Sequence, residues 1–338
     1  MAEFGLEYAA KLSSNENPFG PLPSVVEAIV RAAADINRYP DSGAVALRHA
    51  LASFIGVPVS MIATAPGSSG VLLQTLNAFA GPGAEVNFNW RTFEAYPIFS
   101  RSVGAIDVHA PLRGQALDLD ALADSITERT RVVLIANPNN PTGTVATEAE
   151  IRTFLGRVRP DLLVVLDEAY TEFIDDGSTV NGVSLLEEFP NVLVSRTMSK
   201  AYGLAGLRVG YAIAHPDVIA AVDKVAAPFS LSVVSQAAAI AALAPAAQEE
   251  LTARVEVIRL ERTRVTKELR ALGFDIPPSH ANLVWLPIGD RTNDVFSTLE
   301  RHGVVGRAFP GDGVRITIGS PDENDMVLRA LRTIATVS

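Results

Sequence analysis

Short apolar runs alternate with longer amphipathic stretches over the first two thirds of the chain, the pattern of strands and helices laid down in turn. The expected strands are Glu85–Phe88, Ala105–His109, Val132–Ala136, Leu162–Asp167, Asn191–Thr197 and Leu207–Ala214. The expected helices are Ser24–Ala34, Ala44–Ile55, Ser69–Ala80, Phe93–Ser102, Leu119–Ile126 and Glu148–Arg157. Such alternation builds a large, doubly wound, mostly parallel sheet of the α/β class. After about Ser230 the pattern changes. Helices are expected at Ser235–Leu243 and Ala247–Leu272, then short strands at Ala281–Pro287, Val304–Arg307 and Val314–Ile318, and a closing helix from Asp322. That second pattern predicts a smaller α+β domain. A chain of 338 residues exceeds the usual size of one core, which agrees with two domains.

The candidate chemistry gathers at the strand ends. The apolar run Leu162 to Leu166 ends in Asp167, Glu168, Ala169 and Tyr170, and the strand Asn191 to Arg196 runs into Thr197-Met198-Ser199-Lys200. In an open α/β sheet, ligands sit outside the carboxyl ends of strands, so an acid, a phenol and an amine converge there. A lysine amine condenses with an aldehyde cofactor, and a carboxylate beside a pyridine nitrogen keeps that ring protonated and electron-accepting. Alone, Lys200 reads as a solvated loop lysine and Asp167 as a helix cap, since charged residues are mostly exposed. A third element alters this: Asn137-Pro138-Asn139-Asn140-Pro141-Thr142-Gly143 follows the apolar run Val132 to Ala136 and has strong turn chemistry.

With these pieces in order, the chain resembles the fold-type I pyridoxal-phosphate aminotransferases, whose fold is aspartate-aminotransferase-like. The resemblance is to the branch holding histidinol-phosphate and actinobacterial aromatic amino acid aminotransferases. It rests on Asn15-Glu16-Asn17-Pro18, Arg38-Tyr39-Pro40-Asp41, the Gly67 loop, Asn137 to Gly143, Asp167 to Tyr170, Ser199 to Arg208 and Val314-Arg315-Ile316-Thr317, and so spans nearly the whole chain. The segment around Lys200 is the most specific. The resemblance implies a large domain over 35–239 and a small, discontinuous one over 1–34 and 240–338.

It also implies a set of roles around pyridoxal 5'-phosphate. Lys200, Asp167 and Tyr170 are the expected catalytic groups. Gly67-Ser68-Ser69-Gly70 precedes an apolar helix, where backbone N–H groups and hydroxyls can face an anion; the alternative is an ordinary serine cap. The family adds Thr197, Ser199 and Arg208 as phosphate ligands, with Tyr39 reaching over from a neighbouring subunit, which would make the enzyme a homodimer with a shared active site. Phe93 is expected to cover the ring face, with Trp90 as runner-up, and Asn140 to bond the ring oxygen beside Tyr170. Asn15, Asn282, Arg307 and Arg315 are the candidate substrate residues, Arg315 for a carboxylate or phosphate.

The implied activity is ping-pong transfer of an amino group from an aromatic amino acid to 2-oxoglutarate. Histidinol phosphate is the alternative donor, and a pyridoxal-phosphate decarboxylase or lyase the alternative chemistry. Ser69-Gly70, Arg91 and Phe93 depart from residues common in the family, and Trp90-Arg91-Thr92-Phe93 resembles the aromatic branch more closely. Asn15 comes early, and Met1 to Phe4 are expected to be foreign to the native chain.

Composition removes other classes. A net charge of −10 disfavours nucleic-acid or acidic-membrane partners. Without cysteine there is neither disulfide nor thiolate metal site, and His49, His109, His215, His280 and His302 lack metal-ligand spacing. Neither a signal peptide nor a long apolar span is evident, so a soluble cytoplasmic protein is expected. Gly203 to Gly210 has the wrong spacing for a dinucleotide loop, and G-x-S-x-G is absent. A regulator built on an aminotransferase-like domain would need a basic DNA-binding module that has no room here.

Overall fold

The computed structural model describes residues 8–175, 177 and 179–335. Met1 to Phe4, the expected foreign leader, lie outside them. A two-residue strand β1 (Ala10–Lys11) and helices α1 (Pro23–Ala32) and α2 (Val45–Ile55) lead into the main sheet. Its strands in chain order are β2 (Ile62–Pro66), β3 (Glu85–Trp90), β4 (Ile106–Arg113), β5 (Ala116–Leu117), β6 (Thr130–Ala136), β7 (Leu163–Asp167), β8 (Val192–Thr197) and β9 (Val209–Ala214). In space they run β2-β9-β8-β7-β6-β3-β4-β5. Strands β4, β3, β6, β7 and β8 are parallel, whereas β9 is antiparallel to both β8 and β2.

Helices α3 (Gly67–Phe79), α4 (Ala95–Ser102), α5 (Leu119–Asp124), α6 (Glu148–Arg157) and α7 (Pro216–Lys224) cover the sheet. Side chains alternate across a strand, so β6 sends Val132, Leu134 and Ala136 into one apolar cluster and Val133 and Ile135 into another. The first cluster packs under α3, α4 and α7 through Leu72, Tyr96 and Val222, and the second under α6 through Ile151 and Phe154. Helix α6 starts where it does because Thr147 and Glu150 form a capping box.

The rest of the chain supplies α8 (Val233–Ala242), the long α9 (Pro245–Ala271), β10 (Leu283–Leu286), α10 (Thr292–Arg301), β11 (Val304–Val305), β12 (Arg307–Phe309), β13 (Gly313–Thr317) and α11 (Pro321–Ala335). Strands β10, β13 and β12 form an antiparallel sheet, and β1 pairs in parallel with β11, bringing the early residues beside the late ones. Pro245 stands in the first turn of α9, where its missing N–H forfeits no bond.

Five elements were not expected. Strands β1, β2 and β5 span two to five residues, α7 carries a continuous apolar run, Val218 to Val222, instead of a helical period, and α10 holds few apolar residues. The last strand of the main sheet begins at Val209 rather than Leu207, because residues 205–207 form a 3-10 turn and Arg208 is left-handed, with φ 52°.

The reversed direction of β9 shapes the functional edge. Register pairs Pro66 with Val209 and Thr197 with Gly210. The start of β9 therefore meets the carboxyl ends of β2 and β8, and Arg208 joins the residues that follow Pro66 and Thr197. Gly210 is required there, since a Cβ would run into the backbone of Gly67 and Ser68.

Candidate active site

A cavity of about 310 Å³ opens at the carboxyl edge of the main sheet. Strand ends form its floor. Residues Ser13 to Asn15 and the β12–β13 hairpin close it from the opposite side.

One end of the floor is a polar cradle. Ser68 and Ser69 lie in the first turn of α3, whose free N–H groups and dipole favour an anion. Gly67 has φ 76°, and a Cβ on it would collide with the Arg208 guanidinium. Arg208 Nη1 donates to Ser199 Oγ at 3.1 Å, and Thr197 Oγ1 donates to Ser199 Oγ at 3.0 Å. A helix N-terminus, four hydroxyl-bearing residues and a guanidinium thus share one surface.

The centre of the floor holds Asp167 and Lys200. Asp167 is 5% exposed; its Oδ2 accepts from Tyr96 Oη at 3.0 Å, and its Oδ1 has no hydrogen-bond partner among the described residues. Burial raises its carboxyl to about 6. Lys200 Nζ donates to the Ser14 carbonyl at 2.9 Å. Burial, with help from Arg315, lowers its amine to about 8. Both groups are thus held near the point where each exchanges a proton, the condition that general acid–base work requires. Tyr170 is buried beside them and its hydroxyl accepts from Asn15 Nδ2 at 2.8 Å. Phe93 and Asn140 complete the walls.

Arg315 is the roof's main cation. Its Nη1 donates to Asn140 Oδ1 at 2.6 Å and its Nη2 to the Ser13 carbonyl, while buried Nε has no partner. Among the described residues it forms no salt bridge; a buried guanidinium faces the cavity with its charge offset from a distance by the Glu94 carboxylate. Arg307 stands at the rim, half-exposed, paired with Glu94.

Several sequence candidates lie elsewhere. Asn282 is fully buried behind the cavity, where its Nδ2 donates to the Asn15 carbonyl at 3.2 Å; it holds Asn15 rather than lining the space. Trp90 stacks on His109, with ring centroids 4.9 Å apart, and the Arg91 guanidinium lies 4.4 Å from its ring centroid; Trp90 is absent from the lining where Phe93 is present. Tyr39 is 84% exposed and packs on Phe229, away from this chain's cavity.

Four contributors went unnoticed in the sequence. Tyr96 reads as an ordinary core aromatic, and only its fold position puts the hydroxyl on Asp167. Glu94 reads as a helix-start acid. Ser13 and Ser14 act through backbone carbonyls, which no side-chain pattern reveals.

The sequence profile of the family described as aminotransferase class I and II matches residues 9–331, and the chain belongs to that family. An "aromatic amino acid aminotransferase" of Streptomyces coelicolor is 53% identical over 322 residues, covering 95% of this chain and 89% of the relative. A histidinol-phosphate aminotransferase from Sinorhizobium meliloti, solved in complex with pyridoxal-5'-phosphate, superposes with a TM-score of 0.91 at 30% identity, covering 99% of this chain and 93% of that one. A double mutant of Thermus thermophilus aspartate aminotransferase superposes with a TM-score of 0.87 at 25% identity, covering 100% and 93%. The fold is thus the aspartate-aminotransferase-like one.

Proposed function

We propose that this aminotransferase uses pyridoxal 5'-phosphate to move the amino group of an aromatic amino acid, phenylalanine, tyrosine or tryptophan, to 2-oxoglutarate in a ping-pong cycle. The observation that carries the reading is that Lys200 and Asp167 share one cavity, the acid with an oxygen left without a partner. The cavity fits the cofactor: an anion cradle at one end, an unsatisfied buried acid at the centre and an amine within the same walls. Ser68, Ser69, Thr197, Ser199 and Arg208 would hold its phosphate, with the Gly67 backbone. Asp167 would hold its ring nitrogen, Asn140 and Tyr170 its ring oxygen, and Phe93 its face.

When bound, pyridoxal phosphate supplies an aldehyde that condenses with amines and a ring that draws electrons from the carbon bearing the amine. The chain's own groups do the rest. Arg315 binds the substrate carboxylate through its buried guanidinium, which no salt bridge occupies among the described residues. Lys200 Nζ, easily deprotonated near neutral pH, takes a proton from the substrate α-carbon in one half of the cycle and returns one to the keto acid's carbon in the other. Asp167 keeps a negative charge in a dry site, where it acts most strongly. Asn15 holds the Tyr170 hydroxyl in place.

Aromatic donors are favoured by the 53% identical relative of that name and by Trp90-Arg91-Thr92-Phe93. Histidinol phosphate is the second reading, because Arg307 and Arg315 are cross-strand neighbours and two guanidiniums suit a phosphate. The proposal includes a homodimer in which Tyr39 reaches a partner's phosphate cradle, an idea supported by the exposure of Tyr39 and of the apolar Ile36 and Val30 that precede it in the chain. It includes a cofactor-holding unit over 35–239, a smaller unit over 1–34 and 240–338, and a cytoplasmic location. Among the described residues, no helix is long and apolar enough to cross a membrane.

The deciding assay gives the purified protein phenylalanine, tyrosine and histidinol phosphate, each with 2-oxoglutarate. Aromatic donors are expected to be used with the higher kcat/KM. A clear preference for histidinol phosphate overturns the donor, and product formed beyond one equivalent per active site without any keto acid overturns transamination.

A further inference from the structure

Strands β12 and β13 place Arg307 directly opposite Arg315. Cross-strand neighbours share one face of the sheet, and like charges in that position repel. The protein supplies one counter-charge. Glu94, just before α4, makes no cap to its own helix and instead accepts from Arg307 Nε at 3.2 Å and from Nη2 at 3.3 Å. Both residues line the cavity. The contacts are longer than the 2.7–2.9 Å of a tight charge-assisted pair, and the side chains are 53% and 37% exposed. Glu94 therefore offers Arg307 a loose, wet partner that a ligand anion can replace. Arg315, by contrast, makes no salt bridge among the described residues, and the Glu94 carboxylate acts on it from a greater distance.

We propose that Glu94 is a specificity-determining residue that sets how strongly the pocket answers a second negative charge on its ligand. The inference rests on the reading that this cavity takes the substrates, with the carboxylate common to them on Arg315. When the rest of the ligand is an uncharged aromatic side chain, Glu94 stays on Arg307 and the rim is neutral. When the ligand is a dicarboxylate keto acid, its distal carboxylate competes with Glu94 for Arg307. The same pocket thus accepts both classes, and Glu94 holds down its affinity for acidic ones, a repulsive element of the kind that discrimination requires. Without that carboxylate, two facing guanidiniums would draw anionic tails preferentially.

The test compares two unreactive ligands on the holoenzyme, glutarate with two carboxylates and 3-phenylpropionate with one, by their inhibition constants in wild type, Glu94→Gln and the double variant Glu94→Gln/Arg307→Gln. Glu94→Gln is expected to tighten glutarate about three- to fivefold relative to 3-phenylpropionate, the range of a part-exposed ion pair. The gain should vanish in the double variant and shrink with added salt. Equal shifts for both ligands, no shift, or a gain that survives removal of Arg307 would each overturn the proposal. Glu94→Ala carries the same expectation and decides the matter if the glutamine variant does not fold. A wild type that transaminates no aromatic donor overturns the underlying reading instead, and that outcome is distinct because it involves no variant.

Discussion

Asp167 and Glu168 are adjacent, both buried, and treated in opposite ways. Asp167 faces the cavity with Oδ1 unbonded. Glu168 points away from it, where Oε2 takes two bonds from Arg196, at 2.7 and 2.9 Å, and Oε1 accepts from the Gly182 N–H at 2.6 Å. The cations follow suit. Arg196 is spent on Glu168, whereas Lys200 forms no salt bridge among the described residues and donates to a backbone carbonyl. One face of the strand ends is closed electrostatically and supports the fold; the other is left open, and an open buried acid beside an amine has a use only when something enters between them.

The sharpest break of this contrast is at Lys200. Lys200→Ala should abolish turnover, by more than about 10⁴-fold given what a positioned acid–base group contributes, together with the visible absorbance of the bound cofactor. A variant that still transaminates would remove the assignment.

Next come the two acids, which should dissociate cleanly. Asp167→Asn is expected to lower kcat/KM by at least about 10²-fold, because a preorganised charge is lost. Yet it should stabilise the cofactor-free protein at neutral pH. The folded-state value of Asp167 is raised to about 6, so its contribution to stability is present below the ordinary carboxyl range and lost as pH rises through about 6; the loss is on the order of 3 kcal/mol. Glu168→Gln should do the reverse, leaving kcat within a few-fold and destabilising the protein by about 3–5 kcal/mol, since it strands Arg196 in a buried site. Thermal or denaturant unfolding at pH 5 and pH 7, set beside turnover, checks both. If the two variants behaved alike, the division between open and closed faces would be wrong.

Much of this was legible in the sequence. Runs such as Leu163 to Leu166 could only be strands, and Asp167, Lys200 and the Asn137 to Gly143 turn sit at strand ends, where fold position and chemistry coincide. The reversal of β9 was not legible, because strand direction leaves no trace in composition; it is this reversal that brings Arg208 to Gly67 and Ser199. Pairings that depend on two distant segments were hidden as well, as with Glu94 and Arg307, or Asn282 held behind Asn15. Phe93 was preferred to Trp90 through the family pattern and not by residue type, and the geometry after β3 turns Trp90 toward His109 and Phe93 toward the cavity.

The smallest expected effect tests what keeps the open acid in place. Tyr96 is wholly buried, and burial together with the Asp167 charge pushes its phenol well above its ordinary range, so it remains a hydrogen-bond donor to Asp167 at any working pH. That bond also lowers the Asp167 carboxyl against the opposing pull of burial. Tyr96→Phe removes the donor and keeps the ring against Phe88 and Phe93. Asp167 should then protonate more readily, moving the acid limb of the kcat/KM profile to higher pH and lowering kcat about tenfold at neutral pH, as for one bond to a charged group. A purely structural role for Tyr96 would change stability without moving that limb, so the pH profile separates the two.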